Sequence, residues 1–124
     1  MIEAMNHFTV LTDDLPATLA FYVELLGLDP GDRPDFGFPG AWLYANQQAV
    51  LHVIAGRPLP EPRAGVIDHM AFSARGLAGV KARLDARGVV YRLDRQTGSG
   101  AWQLFCVDPN GAKVELDFDA AELP

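Results

Sequence analysis

The sequence predicts an α+β fold built from two βαβββ modules, and three observations carry that expectation. Two segments of the first half recur in the second. Asn6-His7-Phe8-Thr9-Val10 is answered by Asp68-His69-Met70-Ala71-Phe72, and Val50-Leu51-His52-Val53-Ile54 by Lys113-Val114-Glu115-Leu116-Asp117. The spacing recurs as well: His52 lies 45 residues after His7, and Glu115 lies 46 after His69. Between the halves runs the one proline-rich stretch, Gly56-Arg57-Pro58-Leu59-Pro60-Glu61-Pro62-Arg63, which reads as an extended linker. The expected organisation is one domain over residues 1–124, with module one at 1–55, a linker at 56–65 and module two at 66–120.

Each element has a local reason. Residues 2–11 alternate and are rich in β-formers, which predicts a strand. Asp13 or Asp14 can cap a helix with Pro16 in its first turn; Leu15, Leu19, Tyr22 and Leu26 fall on one face, and Gly27 ends it. A loop with Pro30, Pro34 and Pro39, in which a short strand is obscured, leads to a strand at 40–44. Asn46 and Gln47 turn that strand into another ending near Ile54. In the second half, a strand over 66–73 precedes a helix carrying Leu77, Val80 and Leu84 and stopped by Gly88. Strands at 89–93, 101–107 and 112–118 follow. Asp108-Pro109-Asn110-Gly111 is explained by turn geometry alone.

Strand periodicity places the candidate chemistry. His7 shares a face with Thr9, His52 with Val50 and Ile54, His69 with Ala71, and Glu115 with Lys113 and Asp117. The opposite faces, Phe8/Val10, Leu51/Val53, Met70/Phe72 and Val114/Leu116/Phe118, are apolar and suited to cover the helices. Helices therefore cover one side of each sheet and the four polar candidates line the other. A lone strand histidine is more often a hydrogen-bonded, half-buried residue than a ligand. Here all three histidines of the chain fall on equivalent points of a duplicated unit, with Glu115 on the fourth. Imidazole and carboxylate form the donor set of catalytic divalent metal sites, so His7, His52, His69 and Glu115 are the expected ligands of one divalent ion.

Composition bounds the partners. With 124 residues, 49% of them hydrophobic, the chain can bury one core. A formal charge of −6 argues against nucleic acid or an anionic membrane as the main partner. The opening residues lack the pattern of a signal peptide, and no apolar run reaches membrane-spanning length. The single cysteine, Cys106, fits a reducing cytoplasm and reads as a packed strand residue.

The residues resemble a known family. Asn6-His7-Phe8-Thr9-Val10, followed by Asp14-Leu15 and Phe21-Tyr22-x-x-Leu25-Leu26-Gly27-Leu28, looks like the opening of vicinal oxygen chelate proteins: glyoxalase I, bleomycin-resistance proteins and extradiol dioxygenases. Asp68-His69-Met70-Ala71-Phe72 and Phe105-Cys106-Val107-Asp108-Pro109-Asn110-Gly111-x-Lys113-Val114-Glu115-Leu116 resemble its second-module signatures. The resemblance implies curved mixed sheets around a metal cup, a homodimer, and a small substrate that chelates the metal through neighbouring oxygens. His7, His69 and Glu115 fall on its usual ligand positions. His52 falls where glyoxalase I-like enzymes place a glutamate that both ligates and acts as base, a departure that leaves His52 as a ligand or an acid/base.

The leading expectation is a glyoxalase I-like lyase or isomerase using Zn, Ni, Mn or Fe, with Glu115 and His52 as its catalytic pair. An Fe(II) ring-cleaving dioxygenase is the alternative, since His7, His69 and Glu115 supply two histidines and one carboxylate. A bleomycin-resistance-like binding protein is the non-enzymatic alternative. A fosfomycin-type thiol transferase shares the Asn6-His7-x-Thr9 start, with Arg95 as the one obvious anion-binding residue. Trp42, Tyr44, Arg95, Gln103 and Phe105 are the expected substrate-binding residues, because aromatic walls with a few polar groups suit small ligands.

Overall fold

A computed structural model describes residues 1–124 and divides into two compact units, Met1–Glu61 and Pro62–Pro124. The first unit runs β1 (Phe8–Thr12), α1 (Leu15–Leu19, continuing as a π-helix over Ala20–Leu25), β2 (Asp29–Gly31), β3 (Gly40–Ala45) and β4 (Gln48–Ala55). The second runs β5 (Met70–Ser73), α2 (Leu77–Ala86), β6 (Tyr91–Arg95), β7 (Trp102–Val107) and β8 (Lys113–Phe118). The units share one topology: a four-stranded mixed sheet ordered β1-β4-β3-β2 in the first and β5-β8-β7-β6 in the second. In each, the first strand pairs parallel to the last and the remaining pairs are antiparallel. This is the two-module βαβββ arrangement expected from the duplication.

Alternation sorts the faces as the period of two requires. In β4, Leu51, Val53 and Ala55 are buried while Val50, His52 and Ile54 are half-buried on the other face. Val10, Leu43, Phe21, Tyr22 and Leu25 complete the core of the first unit. Met70, Leu77, Val80, Leu84, Leu104, Val114, Leu116 and Phe118 form that of the second. Asn46 and Gln47, at φ 49° and 66°, make the β3–β4 turn, and Asp108 Oδ1 accepts from the backbone N–H of Asn110 and Ala112 to fix the β7–β8 turn.

Three expectations are corrected. The first strand begins at Phe8 rather than near Ile2, and Ile2 is 99% exposed. Parallel pairing sets Phe8 beside Leu51, so residues before Met5 would run past the start of β4 at Gln48 and have no partner. Likewise β5 begins at Met70, not Val66, because Met70 pairs with Val114 and earlier residues would face the turn. The last shift lies in the first helix. Asp14 caps it, its Oδ1 accepting from Ala17 N at 3.0 Å. The π-helical turns then rotate the buried face onto Thr18, Phe21, Tyr22 and Leu25, away from the stripe expected at Leu15, Leu19, Tyr22 and Leu26. Thr18 belongs inside because its hydroxyl donates to Asp14 O and receives a hydrogen bond from Thr12 Oγ1, both at 2.9 Å.

The start of α2 is closed from far along the chain. Its N-cap, Gly76, has no side chain to offer, and the carboxylate of Glu122 accepts from Gly76 N at 3.0 Å and Leu77 N at 2.6 Å. Trp102 Nε1 donates to Glu122 O at 2.8 Å, anchoring the segment that delivers this carboxylate.

Candidate functional site

The four candidate ligands resolve into two pairs, one per unit. In the first unit His7 sits immediately before β1 and His52 lies within β4, opposite Trp42 of β3. Their rings form a column: His7 on His52 at 3.7 Å and 16°, His52 on Trp42 at 4.1 Å and 10°. The amide oxygen of Asn6 accepts from His7 Nδ1 at 2.7 Å. Burial holds the pKa of His52 below the ordinary histidine range, helped by repulsion from His7 and, more weakly, from Arg33 and opposed by a hydrogen bond with the Ala49 backbone.

The second unit repeats the device with a carboxylate. His69 precedes β5, and Asp68 Oδ2 accepts from its Nδ1 at 2.7 Å while also taking Lys113 Nζ at 3.0 Å. His69 Nε2 lies 2.6 Å from Glu115 Oε2, a separation that requires one proton between them. Gln103 Nε2 donates to Glu115 Oε1 at 2.5 Å, and the edge of His69 meets the Phe105 ring at 5.7 Å. Glu115 is only 5% exposed. Burial raises its pKa, as does the neighbouring Asp117 carboxyl, with Gln103 and His69 acting in the opposite direction. Asp117 Oδ1 is buried without a hydrogen-bond partner.

The donor chemistry fits a divalent ion. In both units an oxygen of the residue before the histidine occupies Nδ1, which leaves Nε2 as the nitrogen with a lone pair; metal-binding imidazoles are usually oriented this way. His7 offers its Nε2 as it stands, while His69 and Glu115 become donors once the proton between them leaves. His52 does not join His7 in its present rotamer, because two nearly parallel stacked rings cannot both aim a lone pair at one ion. No group of three or more His, Cys, Asp or Glu side chains gathers to hold a metal.

The other expected binding residues divide. Trp42 stacks on His52, while Gln103 and Phe105 contact Glu115 and His69. Tyr44 is turned to the edge strand, its hydroxyl donating to Asp32 O at 2.5 Å. Arg95 lies over Trp102 and donates to the Gly100 and Ala120 carbonyls, and none of these contacts reaches the His69–Glu115 pair. Several residues were missed from sequence. Asn6 and Asp68 were legible, since each precedes its histidine in the repeat. Asp117 was visible only as a face-mate of Glu115. A cavity of about 150 Å³ beside His52, walled by Arg33, Phe36, Phe38 and Trp42, had no signature, because its loop has no period.

Comparison with known proteins follows the same lines. The model of the Glyoxalase/Bleomycin resistance protein/Dioxygenase superfamily matches residues 4–116. "Glyoxylase I 4" of Arabidopsis thaliana is 29% identical over 93% of this chain and 70% of its own length. Biphenyl-2,3-diol 1,2-dioxygenase of Paraburkholderia xenovorans (strain LB400) is 28% identical over 95% of this chain, which spans only 42% of that relative. Among solved structures, the fosfomycin resistance protein FosX of Listeria monocytogenes superposes with a TM-score of 0.75 at 17% identity, over 98% of this chain and 97% of its own, a likeness of fold.

Proposed function

Because the chain belongs to the Glyoxalase/Bleomycin resistance protein/Dioxygenase superfamily, we propose that it is a metal-dependent enzyme, a glyoxalase I-like lyase or isomerase acting on a small substrate with two neighbouring oxygens. The observation that carries this reading is the repeated orientation of His7 and His69 by Asn6 and Asp68, together with the buried Glu115 at His69 Nε2. His7, His69 and Glu115 would hold one divalent ion (Zn, Ni, Mn or Fe), with His52 a fourth donor if its ring leaves the stack. When bound, the ion supplies Lewis-acid polarisation of the substrate oxygens.

The chain's own groups handle the proton. Burial raises the pKa of Glu115 above the ordinary carboxylate value, which suits its Oε2 to carrying a proton, while Gln103 keeps the carboxyl oriented through Oε1. His52, its pKa lowered by burial and its ring stacked between His7 and Trp42, is a second base. The same stack supports a second reading, an Fe(II) dioxygenase with His7, His69 and Glu115 as ligands and His52 outside them. A drug-sequestering protein without metal is the third.

Metal content after purification, followed by assay of the Ni, Zn, Mn and Fe forms against methylglyoxal–glutathione and a catechol panel, separates them. Isomerisation of the thiol adduct is expected; ring cleavage alone would favour the dioxygenase, and ligand binding without metal or turnover would overturn both enzymatic readings. Because donors come in pairs, the assembly is proposed to be a homodimer, and light scattering showing a metal-bound monomer would refute it. No helix is long and apolar enough to cross a membrane. The lone buried Cys106 supports a cytoplasmic setting.

A further inference from the structure

We propose that the cavity beside His52 is a subsite for a small aromatic carboxylate. This goes beyond the enzymatic reading above and stands apart from it. The volume is the first argument: about 150 Å³, the size of a cavity that holds one benzene ring, and too small for a peptide or a nucleotide.

The walls are the second. Phe36 and Phe38 stack at 5.5 Å, Trp42 lies 6.1 Å from Phe36, and Trp42 continues into His52, so a flat ring meets π-faces on more than one side. Phe36 is 48% exposed, an uncovered aromatic face beside the cavity that an occupant would shield.

Charge is the third. The Arg33 guanidinium stands 5.0 Å over Phe36 and 5.1 Å over Phe38, and it donates through Nη2 to Phe38 O at 3.1 Å. It pairs with no carboxylate, although the chain carries 16 acidic residues against 10 basic ones. The nearby Asp35 is turned to the backbone, its Oδ1 accepting from Gly37 N. Arg57 lies over Phe38 at 5.3 Å, also without an acidic partner. Two unneutralised guanidinium groups beside an aromatic slot match a ring that bears a carboxylate, which Arg can grip through two parallel hydrogen bonds. A stacking arginine that merely packs the loop would not distinguish an acid from its neutral analogue.

The test uses the full-length, metal-free protein and three probes: benzoate, benzyl alcohol and acetate. Calorimetry gives affinity, and the Trp42 indole NMR signal, assigned with Trp42→Phe, reports position. Benzoate should bind saturably at least tenfold more tightly than either other probe and shift the Trp42 signal. Arg33→Met should reduce benzoate affinity to that of benzyl alcohol while leaving benzyl alcohol unchanged. If Arg33→Met loses both, Arg33→Lys decides: retained benzoate preference supports the subsite, and lost preference overturns it. Equal binding of benzoate and benzyl alcohol, undiminished benzoate binding by Arg33→Met, or no saturable binding also overturns it. Metal and turnover play no part here, so failure of this subsite leaves the metal-dependent reading standing, and the converse holds.

Discussion

Glu115 Oε2 and His69 Nε2 face one another at 2.6 Å beside the parallel pairing of β5 and β8, close enough to share a proton. If His69 and Glu115 hold a divalent ion as proposed, that proton must leave, so metal affinity should rise with pH. His69→Ala should abolish most bound metal while the β-rich circular dichroism spectrum persists. Elemental analysis is the check, and stoichiometric metal in the variant would contradict the assignment.

His52 should titrate below the ordinary histidine value in the metal-free protein. His7→Asn removes the repelling ring and should move the midpoint upward, as read from imidazole NMR shifts. A depressed folded-state pKa contributes stability above the unfolded value, and that contribution is lost as pH falls through the folded one. An ordinary midpoint in the parent protein would refute the account.

His52 also separates the two enzymatic arrangements. His52→Ala should keep metal but lose turnover at least tenfold if the stacked imidazole moves a proton. Weakened metal binding instead would show that the ring leaves the stack to ligate.

Cys106, buried in β7, has its thiol pushed up to about 11, first by burial and then by Asp108. It should resist alkylation at pH 8 in the native state and react on unfolding. The raised value means its stabilising effect is complete below the unfolded pKa and fades as pH rises through about 11. Rapid native-state labelling at pH 8 would show the burial to be wrong.

Gly40 carries no side chain because a Cβ there would lie 2.2 Å from Val53 O and 3.0 Å from Arg33 Nη2. Gly40→Ala should cost about 1–3 kcal/mol in urea unfolding, the range for overpacking. An unchanged midpoint would mean that the strand and loop shift freely.

Much of this was legible in the sequence because a duplication states the same pattern twice. The faces of β4 and β8 followed from a period of two, and the placement of His52 opposite the buried Leu51 and Val53 followed with them. Strand starts did not, because a strand ends where its partner ends, and residues 2–7 alternate with nothing complete beside them. The inward placement of Thr18 was hidden since it involves Thr12 and Thr18 meeting across six positions. The column of His7, His52 and Trp42 was hidden as well: sequence gives the face of a side chain but not its rotamer. The Arg33 loop sets Arg33, Phe36 and Phe38 among prolines and glycines in no repeating period, so no face could be assigned to them.

The carboxylate of Glu122 at the head of α2 has a consequence for the order in which the second unit is made. Leu77 leaves the ribosome 45 residues before the group that satisfies its backbone N–H. Until then the helix begins at a glycine with no side-chain cap, and the parallel partner of β5, which is β8, is made only after α2, β6 and β7. The earliest and latest stretches of the unit must meet before either is secured, so its folding is dominated by long-range closure and should proceed as a single late, cooperative event.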